Sequence, residues 1–426
     1  MVKIRRVDSA ARVGLVLVAT VLGLASTARG LSTSDKPAAI LVWPKIVVDT
    51  SGTLEGRPTD TIIQLSNTDD DKLRQAHCFY VNANGHCGPG AAQPGRICRD
   101  SRDCPTSTGD NINGFAPCIP GWSEIDFQIR ITPEQPLVWR ASEGLSMSQV
   151  PLPNPGQCSN NPTIPCNPLS SINTCGSGTC VAVASNAGTG IPPAPEDPFV
   201  GTLKCIQFDP DLRPPAPDQS TSTNRFTGEA AIEACLEGPS CTDGVDVEKY
   251  NAVGFRHRTA VADHPGEVRM DGVQYEACPS TLILNHIFDN APDPLSTATA
   301  NVPTVITDLT LVPCGDDFLR QEPGNATAQY LVFNEFEQRL STSRKVDCFF
   351  ESQISLIDTP NSTRSIFSFN VQGSLVGQTR IRGVGKAATG HGLIGVARAL
   401  VGGQRGVAYN LQQSGNISGA DIITIP

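Results

Sequence analysis

The sequence predicts an all-β fold of tandem immunoglobulin-like β-sandwich modules that carry disulfide-stapled loop insertions. Three features point there. Ser, Thr, Asn, Gly and Pro are abundant while Lys and Glu are sparse, a balance that favours short strands and turns over helices. Apolar residues alternate with polar ones, most clearly from Glu124 to Ile131, where Ile125, Phe127, Ile129 and Ile131 alternate with Glu124, Asp126, Gln128 and Arg130. A hairpin-like stretch, Thr61 to Tyr80, has a looser echo at Gln329 to Phe350. Each copy has an apolar run closing on Asn (Asn67, Asn334) and a strand with Cys and two aromatics (Cys78-Phe79-Tyr80, Cys348-Phe349-Phe350). The echo extends to Phe127 and Ile129, ahead of Trp139, and to Phe369 and Val371, ahead of Ile381. Two related modules are therefore expected, over 38–145 and 301–426.

Residues 1–30 have the pattern of a secretory signal peptide. Basic Lys3, Arg5, Arg6 and Arg12 precede a 13-residue apolar run, Val13 to Ala25, and small residues follow. That run is too short to cross a bilayer, so no membrane insertion is expected once the signal is removed. Removal takes away five basic residues and one acid, leaving 27 basic against 41 acidic, a net charge of −14. Nucleic acid and anionic lipid are poor partners for such a chain. Fifteen cysteines in an exported chain imply disulfides, with one thiol left over.

Ala39 to Val48 reads as an opening strand in which Pro44 requires an edge or a bulge. The insertion 82–120 holds Cys87, Cys98, Cys104 and Cys118, and the Pro-rich segment 151–198 holds Cys158, Cys166, Cys175 and Cys180. Neither has the apolar content for a core, so each group is expected to pair internally. A middle β region, 199–300, contains Phe199 to Phe208, then Phe226 to Leu236, which suits a strand or an Ala-rich helix equally. Two strands follow, Tyr250 to Val261 and Ser280 to Phe288. The C-terminal module is expected to bury Phe367, Phe369 and Val371 on one strand, and its Gly-rich end, Gly377 to Gly419, suits tightly turned hairpins. Pairing within regions predicts Cys205 with Cys278, Cys314 with Cys348 and Cys235 with Cys241, leaving Cys78 as the odd thiol.

Few residues suggest chemistry. His77-Cys78 and His86-Cys87 are zinc-ligand types, but strand neighbours point to opposite faces and exported cysteines are oxidised. Calcium is conceivable at Asp69-Asp70-Asp71, at Asp243, Asp246 and Glu248, or at Asp316-Asp317, although none matches a calcium loop. Gly385-Lys386 fails the phosphate-loop pattern because Ala387 stands where the hydroxyl belongs. No nucleophile signature occurs, and His286, on a face with Leu282 and Leu284, reads as a core residue. His257 and His264 flank a polar turn. No catalytic, cofactor-binding or metal residue is assigned.

Cys98 to Pro105 resembles the C-x5-C-P element of small extracellular disulfide domains, and Cys175 to Cys180 is a comparable short loop. More broadly, the Gln64-Leu-Ser-Asn67 hairpin with Cys78-Phe-Tyr80, the Leu203-Lys-Cys205 strand, Tyr275-Glu-Ala-Cys278-Pro279 and Leu311-Val-Pro-Cys314 resemble a group of uncharacterised exported bacterial proteins. The resemblance implies an exported, β-rich chain with Cys-rich insertions and carries no activity. The expected function is a secreted (extracellular or periplasmic) or cell-surface structural or binding protein with an unknown extracellular ligand or surface partner. The alternatives are an extracellular hydrolase of glycans or protein, using paired carboxylates, and a calcium-dependent adhesin.

Overall fold

The computed structural model describes residues 32–33, 35–98, 103–106, 114–145, 190–208, 223–236, 241–258, 266–385, 390–403, 405–419 and 421–426, and the backbone alone of 156–158, 161–166 and 180–181. Its regular secondary structure is nearly all strand. Every second residue of Thr59–Asn67 is buried, and Ser123–Ile131 buries Phe127, Ile129 and Ile131. The ambiguous Phe226 segment is a strand, paired on both sides.

Nine main strands form the N-terminal half: Ile40–Val48 (β1), Thr59–Asn67 (β2), Arg74–Asn82 (β3), Ser123–Ile131 (β4), Pro136–Arg140 (β5), Phe199–Phe208 (β6), Phe226–Cys235 (β7), Val245–Asn251 (β8) and Val253–Phe255 (β9). Nine more form the C-terminal half: Thr281–Ile287 (β10), Val305–Pro313 (β11), Asn325–Asn334 (β12), Arg339–Asp347 (β13), Phe350–Gln353 (β14), Val376–Val384 (β15), Leu393–Val401 (β16), Arg405–Asn410 (β17) and Gln412–Gln413 (β18). The first half has the sheet orders β4-β3-β6-β1-β9 and β5-β2-β7-β8. The second has β13-β12-β15-β10-β18 and β14-β11-β16-β17. Adding nine to each label of one half yields the other, and every pairing within these four sheets is antiparallel.

The halves thus share one topology, but the hairpin echo in the sequence marks the wrong strands. Thr61–Tyr80 spans β2 and β3, whereas Gln329–Phe350 spans β12, β13 and the first residue of β14, one strand out of step. Alternation has the same period in every strand, so it cannot say which strand is which. Nor do Phe367, Phe369 and Val371 share a strand. Phe367 is buried, but the Ser368 side chain accepts the Asn370 N–H and opens a helical turn that Gly373 (φ 60°) closes, leaving Val371 exposed. The expected middle region 199–300 forms no sheet of its own: β6 to β9 complete the first half and β10 belongs to the second. Segments 82–120 and 151–198 are insertions, after β3 and after β5, where the second half has a four-residue turn and a stretch of short helical turns.

Each half has its own core, around Trp43, Tyr80, Phe127 and Phe226 in the first and Leu284, Phe288, Tyr330 and Ile381 in the second. A third cluster joins the halves. Ile40, Val42, Phe79, Val81, Ile206 and Phe255, on the outer face of the first half's five-stranded sheet, meet Val312 and Ile394 from the second half's four-stranded sheet. A small sheet of Glu267–Met270, Asp421–Thr424 and Asp316–Asp317 adds Met270 and Ile423. Consequently β1 and β3 are buried on both faces. Pro44 is accommodated at an interior bulge, where the β1/β6 register shifts between Trp43 and Ile46. Three buried cations cross the junction to carboxylates: Lys45 to Glu351, Lys204 to Asp316 and Arg398 to Glu248.

Candidate functional site: the cleft beneath the cysteine-rich insertion

The insertion after β3 folds around its cysteines. Cys87 bonds Cys104 and Cys98 bonds Cys118, closing Ala91 and Ala116 into a small buried cluster beside a sheet of Gly85–Cys87, Ile97–Cys98 and Cys118–Pro120. The insertion after β5 returns to meet it. Glu196 accepts hydrogen bonds from the Asn82 and Asn84 side-chain amides and lies 3.3 Å from His86 Nε2. Asp197 accepts the Thr50 backbone N–H at 3.1 Å and its hydroxyl as well. Both insertions are therefore held at one end of the first half.

Beneath the first insertion lies a cleft of about 530 Å³ that the second half completes. The first half contributes Asn84, Gly121 and Trp122, and the β13–β14 turn contributes Asp347, Phe349 and Phe350. The walls are fixed from behind. Trp122 stacks toward Phe318 at 6.2 Å, and Phe318 stacks on Phe79 at 4.3 Å. Glu351 on the rim is anchored by the buried Lys45 ammonium. Aromatic walls with a few polar groups are the usual make-up of a ligand pocket.

Cys348 lies in that wall. It is buried, unpaired, and has φ 62°, a conformation that side chains with a Cβ rarely adopt. Burial pushes its thiol well above the ordinary range, and the nearby Asp316 carboxylate adds to the shift, so it is neutral and a poor nucleophile.

The cysteine pairing corrects two expectations. Cys205 bonds Cys78, not Cys278, and Cys314 bonds Cys278, not Cys348. The β3/β6 ladder places Cys78 directly opposite Cys205, so sheet register selects the pair over proximity in sequence. Cys348, not Cys78, is the free thiol among the described residues. Cys235 bonds Cys241. Cys158, Cys166, Cys175 and Cys180 lie where no side chains are described.

The other candidates are occupied by internal partners. His77 Nε2 is 2.9 Å from Asp126 and its ring is 4.3 Å from Phe79, while Cys78 and Cys87 are in disulfides. Burial pushes the Asp69 carboxyl up, but hydrogen bonds from Arg74 and Asp71 outweigh it and hold it at about 2; Arg225 adds a second cation at 3.3 Å. Asp246 accepts the Gly406 N–H and Glu248 binds Arg398. Asp316 binds Lys204, and Asp317 binds Arg320. Each calcium candidate has therefore committed carboxylates to the protein's own cations or amides. His286 is buried with Nε2 2.9 Å from the Thr379 hydroxyl, and burial lowers its pKa to about 4, so it is a neutral core residue. His257 packs edge-on against Tyr275. His264, Lys386 and Ala387 lie outside the described residues.

Sequence reasoning missed Trp122 and Glu196, which sit in no alternating run or motif, and it read Phe349 only as part of an echoed strand; only the fold brings them together. The chain matches no known protein family, and no curated protein is similar to it.

Proposed function

We propose that this chain is an exported binding component, secreted or on a cell surface, built of two immunoglobulin-like β-sandwich repeats with the cleft beside Trp122 as its ligand site. The observation that carries the reading is the convergence on Glu196. It fixes both insertions to each other, so the loops that frame the cleft are ordered before any ligand arrives. Rigid loops at the end of a sheet scaffold are a common seat of recognition. The disulfides fit an oxidising compartment, and among the described residues no helix is long and apolar enough to cross a membrane.

A binding role fits the carboxyls better than hydrolysis does. Those lifted by burial, such as Asp60, Asp289 and Asp421, accept main-chain and hydroxyl hydrogen bonds within the fold and line no described cavity. Trp43 and Trp139 are buried, so a fluorescence change on adding ligand reports Trp122. Screening the folded protein against soluble glycan oligomers and short peptides is expected to yield a saturable change that Trp122→Phe abolishes. Turnover of any of these compounds, lost on replacing Glu351, would instead favour the hydrolase.

A further inference from the structure

The shared topology exposes an asymmetry. In the first half, the outer face of the five-stranded sheet is covered by the second half. In the second half, no apolar cluster among the described residues covers the corresponding face, formed by β13-β12-β15-β10-β18. Where its counterpart offers apolar residues such as Ile40, Phe79, Val81 and Ile206, this face sets cations and amides among the half-buried Ile283, Leu331 and Phe333. Arg380 and Arg382 project from β15, Arg339 and Lys345 from the edge strand β13, and all four are exposed. Ladder registers place them on one side of the sheet: Arg382 lies opposite Gln329 and Thr281, Arg380 opposite Leu331 and Ile283, and Arg339 opposite Phe333.

The only carboxylate among the described outward residues of these strands is Asp347, 2.8 Å from Lys345. No carboxylate lies within ion-pair distance of Arg339, Arg380 or Arg382 among the described contacts. A cationic face on a chain with formal net charge −10 is a local reversal of the protein's field. It is also built for a polar ligand. Gln378 Nε2 donates to Asn285 Oδ1 at 3.1 Å, and Asn285 Nδ2 donates to Gln412 Oε1 at 3.5 Å, a row of side-chain amides running across β15, β10 and β18. Arg380 lies 5.5 Å from the centre of the Phe333 ring, which holds the guanidinium in place. Arg380 and Arg382, two residues apart, are separated by about 7 Å along the strand, and Arg339 and Lys345 by about 20 Å along the edge.

We propose that this sheet face binds an anionic linear glycan, with Arg380, Arg382, Arg339 and Lys345 reading its carboxylate or sulfate groups and the Gln378-Asn285-Gln412 row reading its hydroxyls. Charge complementarity selects the polymer's sign. The flat, extended array, with neutral amides flanking the cations, suits a hydroxyl-rich chain better than a folded protein patch. The face meets the Trp122 cleft only at Lys345 and Asp347 on the edge strand, and Arg380 and Arg382, away from that cleft, test it independently.

The test is retardation of the intact protein in native gels containing polygalacturonate, with dextran gels and a DNA duplex as comparisons. Retardation is expected in polygalacturonate alone, weakening as salt rises. Arg380→Gln/Arg382→Gln should reduce affinity at least tenfold with an unchanged melting temperature, while Lys249→Gln, on β8 of the first half and ion-paired with Glu229, should change nothing. Asn285→Ala, which leaves every cation in place, should weaken binding severalfold. Equal retardation in dextran, no retardation at low salt, or a double variant that binds like the parent overturns the proposal. So does DNA binding of equal strength, which would mean attraction to any polyanion. Concentration-dependent self-association abolished by the same double variant, without glycan retention, would assign the face to a second copy instead.

Discussion

Asn82 and Asn334 occupy the same station in the two halves. Each closes the third strand of its half, each faces a glycine of the sixth strand (Gly201, Gly377), and each side-chain oxygen accepts the backbone N–H two residues on, at 3.0 Å. A Cβ on either glycine would meet an aromatic ring, Phe199 at 2.7 Å or Phe288 at 2.4 Å. After Asn334 the chain turns straight back into β13. After Asn82 it departs into the cysteine-rich insertion.

That departure is tied down by Glu196. Glu196→Ala removes one acceptor from three donors, and the loss is expected to cost about 1–2 kcal/mol. The larger effect is local: limited proteolysis should cut within 82–120 much faster than in the parent. Unchanged cleavage would mean that the disulfides alone order the insertion.

Disulfide mapping under non-reducing conditions is expected to return Cys78 with Cys205 and Cys278 with Cys314, and to find Cys348 alkylated only after denaturation. Replacing both Cys78 and Cys205 by Ala opens a loop of 127 residues, a loss of about 4–5 kcal/mol on the chain-entropy account. A Cys314–Cys348 peptide would contradict the structure.

Lys204 and Asp316 pair across the junction, both buried. Lys204→Met strands a buried carboxylate and should cost about 3–5 kcal/mol in denaturant unfolding, whereas Lys204→Met/Asp316→Leu should recover most of that loss. Equal costs for the single and double variants would show that the pair is not coupled.

Two neighbouring groups in the second half work against each other with pH. Burial raises the Asp289 carboxyl to about 7, so its contribution to stability is greatest below about pH 4 and is lost as pH rises toward 7. Burial lowers His286 to about 4, so its contribution is present above about pH 6.5 and is lost as pH falls toward 4. Between these limits the two slopes oppose. Asp289→Asn should therefore steepen the rise of stability with pH over 4–6.5, and His286→Gln should steepen the fall; identical pH profiles would refute both assignments.

Phe127 and Gln128 are adjacent on β4, one facing the first core and the other exposed. Phe127→Ala is expected to cost about 3–5 kcal/mol and Gln128→Ala under about 1. Equal, small costs would mean that the strand is not half-buried.

How much of this was legible follows from what sequence patterns encode. Alternation marked Glu124–Ile131, and apolar runs closing on Asn67 and Asn334 marked two more strands, because a half-buried strand needs only local chemistry. Such patterns could not align Asn334 with Asn82, because the pattern within one strand does not say which strands are its neighbours. Cys78 and Cys205 meet because β3 and β6 are neighbours, a fact of topology spread over 127 residues. The cleft was hidden for the same reason: Trp122 and Phe349 lie more than 200 residues apart, each in a segment without periodicity.

The middle layer has a consequence for how the chain is made. Ile40 shares its apolar cluster with Ile423 and Ile425, so β1 waits for a segment synthesised more than 370 residues later. Until that segment emerges, a nascent N-terminal half presents Ile40, Phe79 and Ile206 to water on an unfinished sheet. Deleting residues 421–426 removes Ile423 and Ile425 from that cover, and is therefore expected to harm yield and solubility far more than six residues suggest.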